Sequence, residues 1–217
     1  MIEAICFDMD GILFDTERLS VESWIAVAEK LGLGNIEKGV YGCIGLNRTD
    51  CRIFLKEVYG EDFPYDYFRE QTSALFQERV EKEGLPVMKG AGEILTWLQE
   101  KGVKIALASS TGQEKVLSHL RRADFTDFFQ VVIGGDMVEH SKPLPDIYLK
   151  ACELLGVKPE NAIAIEDSPN GIRSAAAAGM LPVMVPDMVE PTPEIEELLY
   201  HKCDSLFAVR DFLEDML

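Results

Sequence analysis

The sequence predicts an α/β fold, a doubly wound (Rossmann-like) parallel sheet that carries an inserted all-helical domain. Three observations predict it. Short, nearly continuous apolar runs recur along the chain, as expected for strands buried on both faces of a parallel sheet. Segments of helical spacing separate these runs, and several of them close on a glycine. The rhythm breaks once, between about residue 16 and residue 84, where the spacing is helical and no strand pattern stands out. The expected organisation is a core of residues 1–15 and 86–217 with a helical domain of residues 16–85.

Taken in order, the first strand runs from Ile2 to Phe7. Three helices fill the insertion: Glu17 to Leu31, Arg48 to Tyr59 and Pro64 to Glu81. The segment Glu83-Gly84-Leu85-Pro86 returns the chain to the sheet, its Gly and Pro marking a hinge. A helix from Ala91 to Lys101 stops at Gly102 and leads into the strand VKIALA, Val103 to Ala108. Gly112 to Arg122 is helical, Val131 to Ile133 is a strand, and Asp146 to Leu155 is a helix stopped by Gly156. Ala162 to Ile165 is the fourth strand. The helix Asn170 to Ala178, capped by Ser168 and stopped by Gly179, leads to the strand Pro182 to Val185. A last helix, Ser205 to Leu213, takes Asp204 as its N-cap. Trp24 and Trp97 are expected in the core, and His119 and His201 on helix surfaces. The acids Glu194, Glu196, Glu197, Asp211, Glu214 and Asp215 read as solvated helix faces.

Composition narrows the function. The chain has 217 residues and is 47% hydrophobic, enough to build a core without disulfides. Its net charge is -17, from 21 basic against 38 acidic residues, a field that repels phosphate backbones and anionic lipid. Nucleic acid and membrane are therefore not expected as partners, and no obligate protein partner is evident. The five cysteines (Cys6, Cys43, Cys51, Cys152 and Cys203) are odd in number, widely spaced and without a CxxC, which fits a reducing cytoplasm better than a disulfide or zinc framework. The N-terminal MIEAICFDMDG lacks a basic segment and its apolar run ends at Asp8, so no signal peptide is expected there.

Ligands of such sheets bind at the carboxyl ends of the strands, so the residues there carry the chemistry. Asp8-Met9-Asp10-Gly11 follows the first strand and Ser109-Ser110-Thr111-Gly112 the second. Ser141-Lys142-Pro143 lies beyond the third, and Glu166-Asp167-Ser168 closes the fourth. Four acids, several hydroxyls and one lysine should converge on one edge. Grouped carboxylates repel one another unless a cation joins them, and oxygen-only donors suit Mg²⁺ rather than zinc. A carboxylate can also attack phosphorus to give an aspartyl-phosphate, and a second acid two residues on can give and then take a proton. Ser109 and Lys142 would hold the transferring phosphoryl oxygens.

The four motifs DMDGILFDTE at 8–17, ALASST at 106–111, SKPLPDIY at 141–148 and IEDSPNGI at 165–172 resemble those of the haloacid dehalogenase-like superfamily of phosphohydrolases, in the same order and over the whole chain. Within it the chain is most similar to the β-phosphoglucomutase-like subgroup, whose small helical cap the insertion resembles. The resemblance implies Asp8 as nucleophile and magnesium ligand, and Asp10 as general acid/base whose carbonyl also binds the metal. It implies Glu166 and Asp167 as completing the metal site, and Ser109, Lys142 and the Ser110 backbone N–H as binding phosphate. It also implies a cis bond at Lys142-Pro143. Dehalogenases of the superfamily lack the second aspartate, so Asp10 points to phosphate chemistry.

The resemblance extends to substrate selection. Gly39 to Arg48, with three glycines, resembles the specificity loop of the relatives, and Arg48 falls where phosphoglucomutase-like members bind a distal phosphate. Those mutases carry a histidine where this chain has Ser20, which turns the expectation from mutase toward hydrolase. The expected activity is Mg²⁺-dependent hydrolysis of a small phosphorylated metabolite, sugar phosphate-like. A phosphosugar mutase is the alternative, and a non-catalytic phosphate-binding protein the reading from another class.

Overall fold

The computed structural model describes residues 2–43 and 48–217. The chain divides into two compact units, one of residues 1–14 and 87–217 and one of residues 15–86. Where the chain leaves and re-enters the first unit, Phe14 pairs with Val87 in an antiparallel bridge and the Met88 N–H donates to the Leu13 carbonyl at 2.9 Å.

The first unit is built on six strands: β1 (Ala4–Phe7), β2 (Lys104–Ala108), β3 (Val131–Ile133), β4 (Ala162–Glu166), β5 (Leu181–Met184) and β6 (His201–Lys202). All pair in parallel, in the order β3-β2-β1-β4-β5-β6. The chain winds outward from β1 through β2 to β3, then returns to the other side of β1 to lay down β4. That reversal puts a topological switch point between β1 and β4, where open α/β sheets form their binding crevice.

The two faces of the sheet differ in side-chain size. Ala4, Cys6, Ala106, Ala108, Ala162 and Ala164 alternate with Ile5, Phe7, Ile105, Leu107, Ile163 and Ile165, and all twelve are fully buried. On the small-residue face pack Ile147, Tyr148, Ala151 and Leu155 of the helix Asp146–Leu155 together with Ala175 of Pro169–Ala177. Alanine and cysteine there let helix backbones come close to the strands. The large residues fill the opposite side, as the strand period of two requires.

Ten helices accompany the strands among the described residues. The second unit consists of α1 (Thr16–Lys30), α2 (Ile36–Tyr41), α3 (Arg48–Tyr59) and α4 (Tyr65–Glu83). Its core joins Val27, Ala28, Cys51, Leu55, Phe63 and Phe68, with Trp24 set edge-on to Phe68 at 5.5 Å between centroids. The first unit carries α5 (Ala91–Glu100), α6 (Gln113–Arg122), α7 (Asp146–Leu155), α8 (Pro169–Ala177), α9 (Pro193–Glu196) and α10 (Leu206–Glu214). No described helix is long and apolar enough to cross a membrane. The six acids expected on solvated helix faces are all exposed.

Several expectations need correction. The cap of α10 is Ser205, whose hydroxyl accepts the Ala208 N–H at 3.2 Å, and not Asp204. His119 is buried rather than on a helix surface, its ring edge-on to Phe14 at 5.8 Å between centroids, and burial lowers its pKa. Trp24 and Trp97 are half-buried rather than fully in the core. The segment 39–48 is not simply a connector, because Gly39 to Tyr41 belong to the short helix α2. A β-carbon on Gly39 would meet the Tyr59 hydroxyl at 2.2 Å, and one on Gly42 the Phe54 ring at 2.3 Å. Those two glycines serve close packing against α3. The rest of the expected specificity loop, residues 44–47, lies outside the described residues.

Candidate active site

The site is assembled at the carboxyl ends of the strands. Asp8 follows β1, and its N–H donates to the Ile165 carbonyl at 2.9 Å, so the sheet ladder continues through it. Ser109 follows β2 and donates its N–H to the Ile133 carbonyl at 3.0 Å. Glu166 ends β4, and its carbonyl accepts the Val185 N–H at 2.8 Å. Main-chain bonds thus hold three of the expected site residues before any side chain contributes. The peptide Lys142-Pro143 is cis.

Lys142 is the hub. Its ammonium donates to Asp8 Oδ1 at 2.6 Å, to Glu166 Oε1 at 2.6 Å and to the Ala108 carbonyl at 2.9 Å. These contacts use all three protons of the group. Burial by itself disfavours the charged lysine, yet the two carboxylates outweigh it and hold the Lys142 pKa above its ordinary value. Asp8 is pushed up to about 8, chiefly by burial, with Lys142 opposing and Glu166 and Asp10 adding. Burial, with the two acids adding to it, outweighs the lysine.

Oxygens of Asp8, Glu166 and Asp167, all buried, lie within 4.8 Å of one another. That set offers hard donors with no nitrogen or sulfur ligand, the chemistry that suits Mg²⁺. Two glycines make room for it. At Gly11, where φ is +79°, a β-carbon would sit 2.3 Å from Asp167 Oδ2. At Gly171 one would sit 1.9 Å from the Glu166 carboxyl carbon. The first glycine meets both a left-handed backbone and a steric demand. The second meets the steric demand alone.

Asp10 stands in the tight turn after β1 and accepts the Thr111 hydroxyl on Oδ2 at 3.0 Å. Ser109 is almost fully buried, and its Oγ accepts the Thr111 N–H at 3.1 Å, so the loop after β2 is knitted to itself and to Asp10. Ser110 is exposed beside them. Ser168 caps α8 as expected, accepting the Gly171 N–H at 3.1 Å, and also donates to Glu166 Oε2 at 3.3 Å.

Two partners had no assigned role in the sequence. Thr111 lies inside a motif of interest, but its tie to Asp10 spans 101 positions. Tyr148, fully buried on α7, donates its hydroxyl to Glu166 Oε1 at 2.6 Å. A tyrosine on a helix face that packs against the sheet needs a polar partner, and Tyr148 also closes the motif SKPLPDIY; those were the available signals. Arg48 and Ser20 belong to the helical unit. The Arg48 guanidinium is exposed and pairs with Asp66 at 3.7 Å, while Arg52 takes the same carboxylate oxygen at 2.5 Å. His140 pairs with Asp146 at 2.8 Å on the surface.

An acid at the end of a central strand, a lysine bound to it and a buried acidic group beside them can together attack and stabilise a phosphoryl centre. Comparison with known proteins points to the same chemistry. A family model for haloacid dehalogenase-like hydrolases matches residues 5–185. The phosphorylated carbohydrates phosphatase of Thermotoga maritima is 36% identical over 82% of each chain. The fructose-1-phosphate phosphatase YqaB of Escherichia coli is 28% identical over 81% of this chain and 92% of its own. A solved Thermotoga maritima structure, named as a candidate beta-phosphoglucomutase, covers all of both chains at 30% identity and a TM-score of 0.82. With the family model matched from β1 through β5, this chain belongs to the haloacid dehalogenase-like hydrolases.

Proposed function

We propose that the chain is a Mg²⁺-dependent phosphatase that hydrolyses a small phosphorylated metabolite, sugar phosphate-like, through an aspartyl-phosphate on Asp8. The observation that carries this reading is the placement of Asp8: at the end of the central strand, bonded to Lys142, and grouped with the carboxylates of Glu166 and Asp167. The relatives support the substrate class, since one is named for phosphorylated carbohydrates and another for fructose 1-phosphate.

Asp8, Asp167, Glu166 and the Asp10 main chain would hold the Mg²⁺. The ion would neutralise the acids and draw charge from the phosphoryl oxygens. Ser109, the Ser110 N–H and Lys142 would hold those oxygens. An Asp8 oxygen forms a bond to phosphorus as the ester P–O bond breaks, and protonated Asp10 gives its proton to the departing alkoxide. Asp10, now a carboxylate, takes a proton from water as that water attacks the aspartyl-phosphate, and the P–O bond to Asp8 breaks to release phosphate. The Thr111 hydroxyl holds Asp10 in place for both steps. Arg48 would bind a distal group of the substrate, where a guanidinium suits phosphate or carboxylate.

The test is phosphate release from a panel of phosphorylated sugars, sugar alcohols and nucleotides, with and without Mg²⁺, by the wild type and by Asp8→Asn. Release that needs Mg²⁺ and falls by at least about 10³-fold in Asp8→Asn supports the mechanism. Near-wild-type turnover in Asp8→Asn would falsify it. Conversion of β-glucose 1-phosphate to glucose 6-phosphate with little free phosphate, after a lag removed by hexose bisphosphate, would make the enzyme a mutase. Binding without turnover of any ester would make it a phosphate-binding protein.

A further inference from the structure

The Glu166 carboxylate has more donors than a metal ligand needs. Oε1 accepts both Lys142 Nζ and the Tyr148 hydroxyl at 2.6 Å each, and Oε2 accepts Ser168 at 3.3 Å. Gly171 leaves the space that the carboxylate fills, since a β-carbon there would overlap it. Tyr148 is also fully buried, and the Lys142 ammonium lies 5.0 Å from the centre of its ring. One side chain therefore touches both members of the Lys142–Glu166 pair, by its hydroxyl on one and its ring face on the other.

We infer that Tyr148 is a positioning residue that turns Glu166 toward Lys142, so that Glu166 serves the phosphate-binding lysine more than the metal. The inference rests on the phosphatase reading above and assigns a division of labour within it. Of the four groups proposed to hold the cation, Asp8, Asp167 and the Asp10 main chain would carry it, and Glu166 would turn mainly to Lys142. Tyr148, Glu166 and Ser168 fix where the Lys142 charge points. Oε1 already takes two short hydrogen bonds, and a cation on that same oxygen would have to displace one of them. Without the Tyr148 hydroxyl, Glu166 is held on Oε1 by Lys142 alone, and the pair loses its fixed direction.

The experiment measures two affinities by calorimetry on the intact protein, that for Mg²⁺ alone and that for inorganic phosphate at saturating Mg²⁺, in wild type, Tyr148→Phe, Glu166→Gln and the double variant. Phenylalanine keeps the ring and removes one oxygen. Tyr148→Phe should weaken phosphate binding about tenfold, the scale of one hydrogen bond to a charged group, while the Mg²⁺ affinity stays within about twofold. In the Glu166→Gln background the same change should have little further effect, because Tyr148 acts through Glu166. Unchanged phosphate affinity in Tyr148→Phe would reduce the tyrosine to packing and end the proposal. An Mg²⁺ affinity that falls as far as the phosphate affinity would return Glu166 to the metal and also end it. A wild type that binds phosphate with Mg²⁺ yet hydrolyses no ester would instead break the phosphatase reading, a result that the binding measurements separate from the other two.

Discussion

At the scale of single residues, the two aspartates after β1 are distinguished by their surroundings. Asp8 is buried and bonded to a cation, whereas Asp10 is part-exposed and receives a neutral hydroxyl from Thr111. The first suits a nucleophile held by Lys142, and the second an acid that exchanges protons with solvent. Replacing Asp10 by Asn should slow hydrolysis of alkyl phosphates by about 10²- to 10⁴-fold. Aryl phosphates with acidic leaving groups should lose less in the first half-reaction, since they depart without a proton. Single-turnover kinetics on both ester types checks this, and an equal loss in that step would mean that Asp10 is a ligand or a structural residue. Asp8, Asp10, Glu166 and Asp167 could be picked out as candidates because each lies at or near the end of an apolar run, and Lys142 because it stands in the SKP motif beyond the third strand. Tyr148 and Thr111 stood inside motifs read from the sequence, but their roles were not legible, because their partners are 18 and 101 positions away. Nothing local in the sequence records those contacts.

At the scale of elements, legibility followed length. Strands β1 to β5 and the long helices show in the apolar pattern, whereas β6 has two residues, α9 has four and α2 has six. So few residues complete fewer than two helical turns or a single strand repeat, too little for a periodicity to emerge. The alternation of small and large residues along β1, β2 and β4 stands in the sequence, but which helices pack on the small side does not. The alanine face under α7 positions Tyr148 and so reaches into the site. Enlarging it should act at a distance: Ala164→Leu, on β4 two residues before Glu166, should destabilise the fold by about 1–3 kcal/mol through overpacking. It should also lift α7 and weaken phosphate binding. Chemical denaturation measures the first effect and calorimetry the second. A loss of stability with undisturbed phosphate affinity would show that α7 adjusts without moving Tyr148.

At the scale of the whole molecule, a chain of net charge -17 groups the buried acids Asp8, Glu166 and Asp167, and under the proposed function a bound cation would reconcile them with a phosphate. The protonation of Asp8 gives this a measurable form. In the metal-free protein its pKa is pushed up to about 8 from 3.8, chiefly by burial. A group with a raised folded pKa holds more protons in the folded state than in the unfolded state between those two values. Its contribution to stability therefore declines as pH rises from about 4 to about 8. Lys142 does not blur this window, since its own pKa is held above 10.5 and its contribution is lost only above that range. His119, lowered by burial, works in the opposite sense near neutrality, so the comparison needs a reference that shares it. Mg²⁺ on Asp8 replaces the proton, and its binding should release one across the same window and tighten with pH. The rise in the unfolding midpoint on adding a fixed Mg²⁺ concentration should accordingly be larger at pH 8 than at pH 5.5 in the wild type. In Asp8→Asn, which keeps His119 but has no proton to displace at position 8, that rise should be small and nearly independent of pH. Thermal scans of both proteins at the two pH values decide it, and an equal Mg²⁺-induced shift at both pH values in the wild type would mean that the cation is bound without displacing the Asp8 proton.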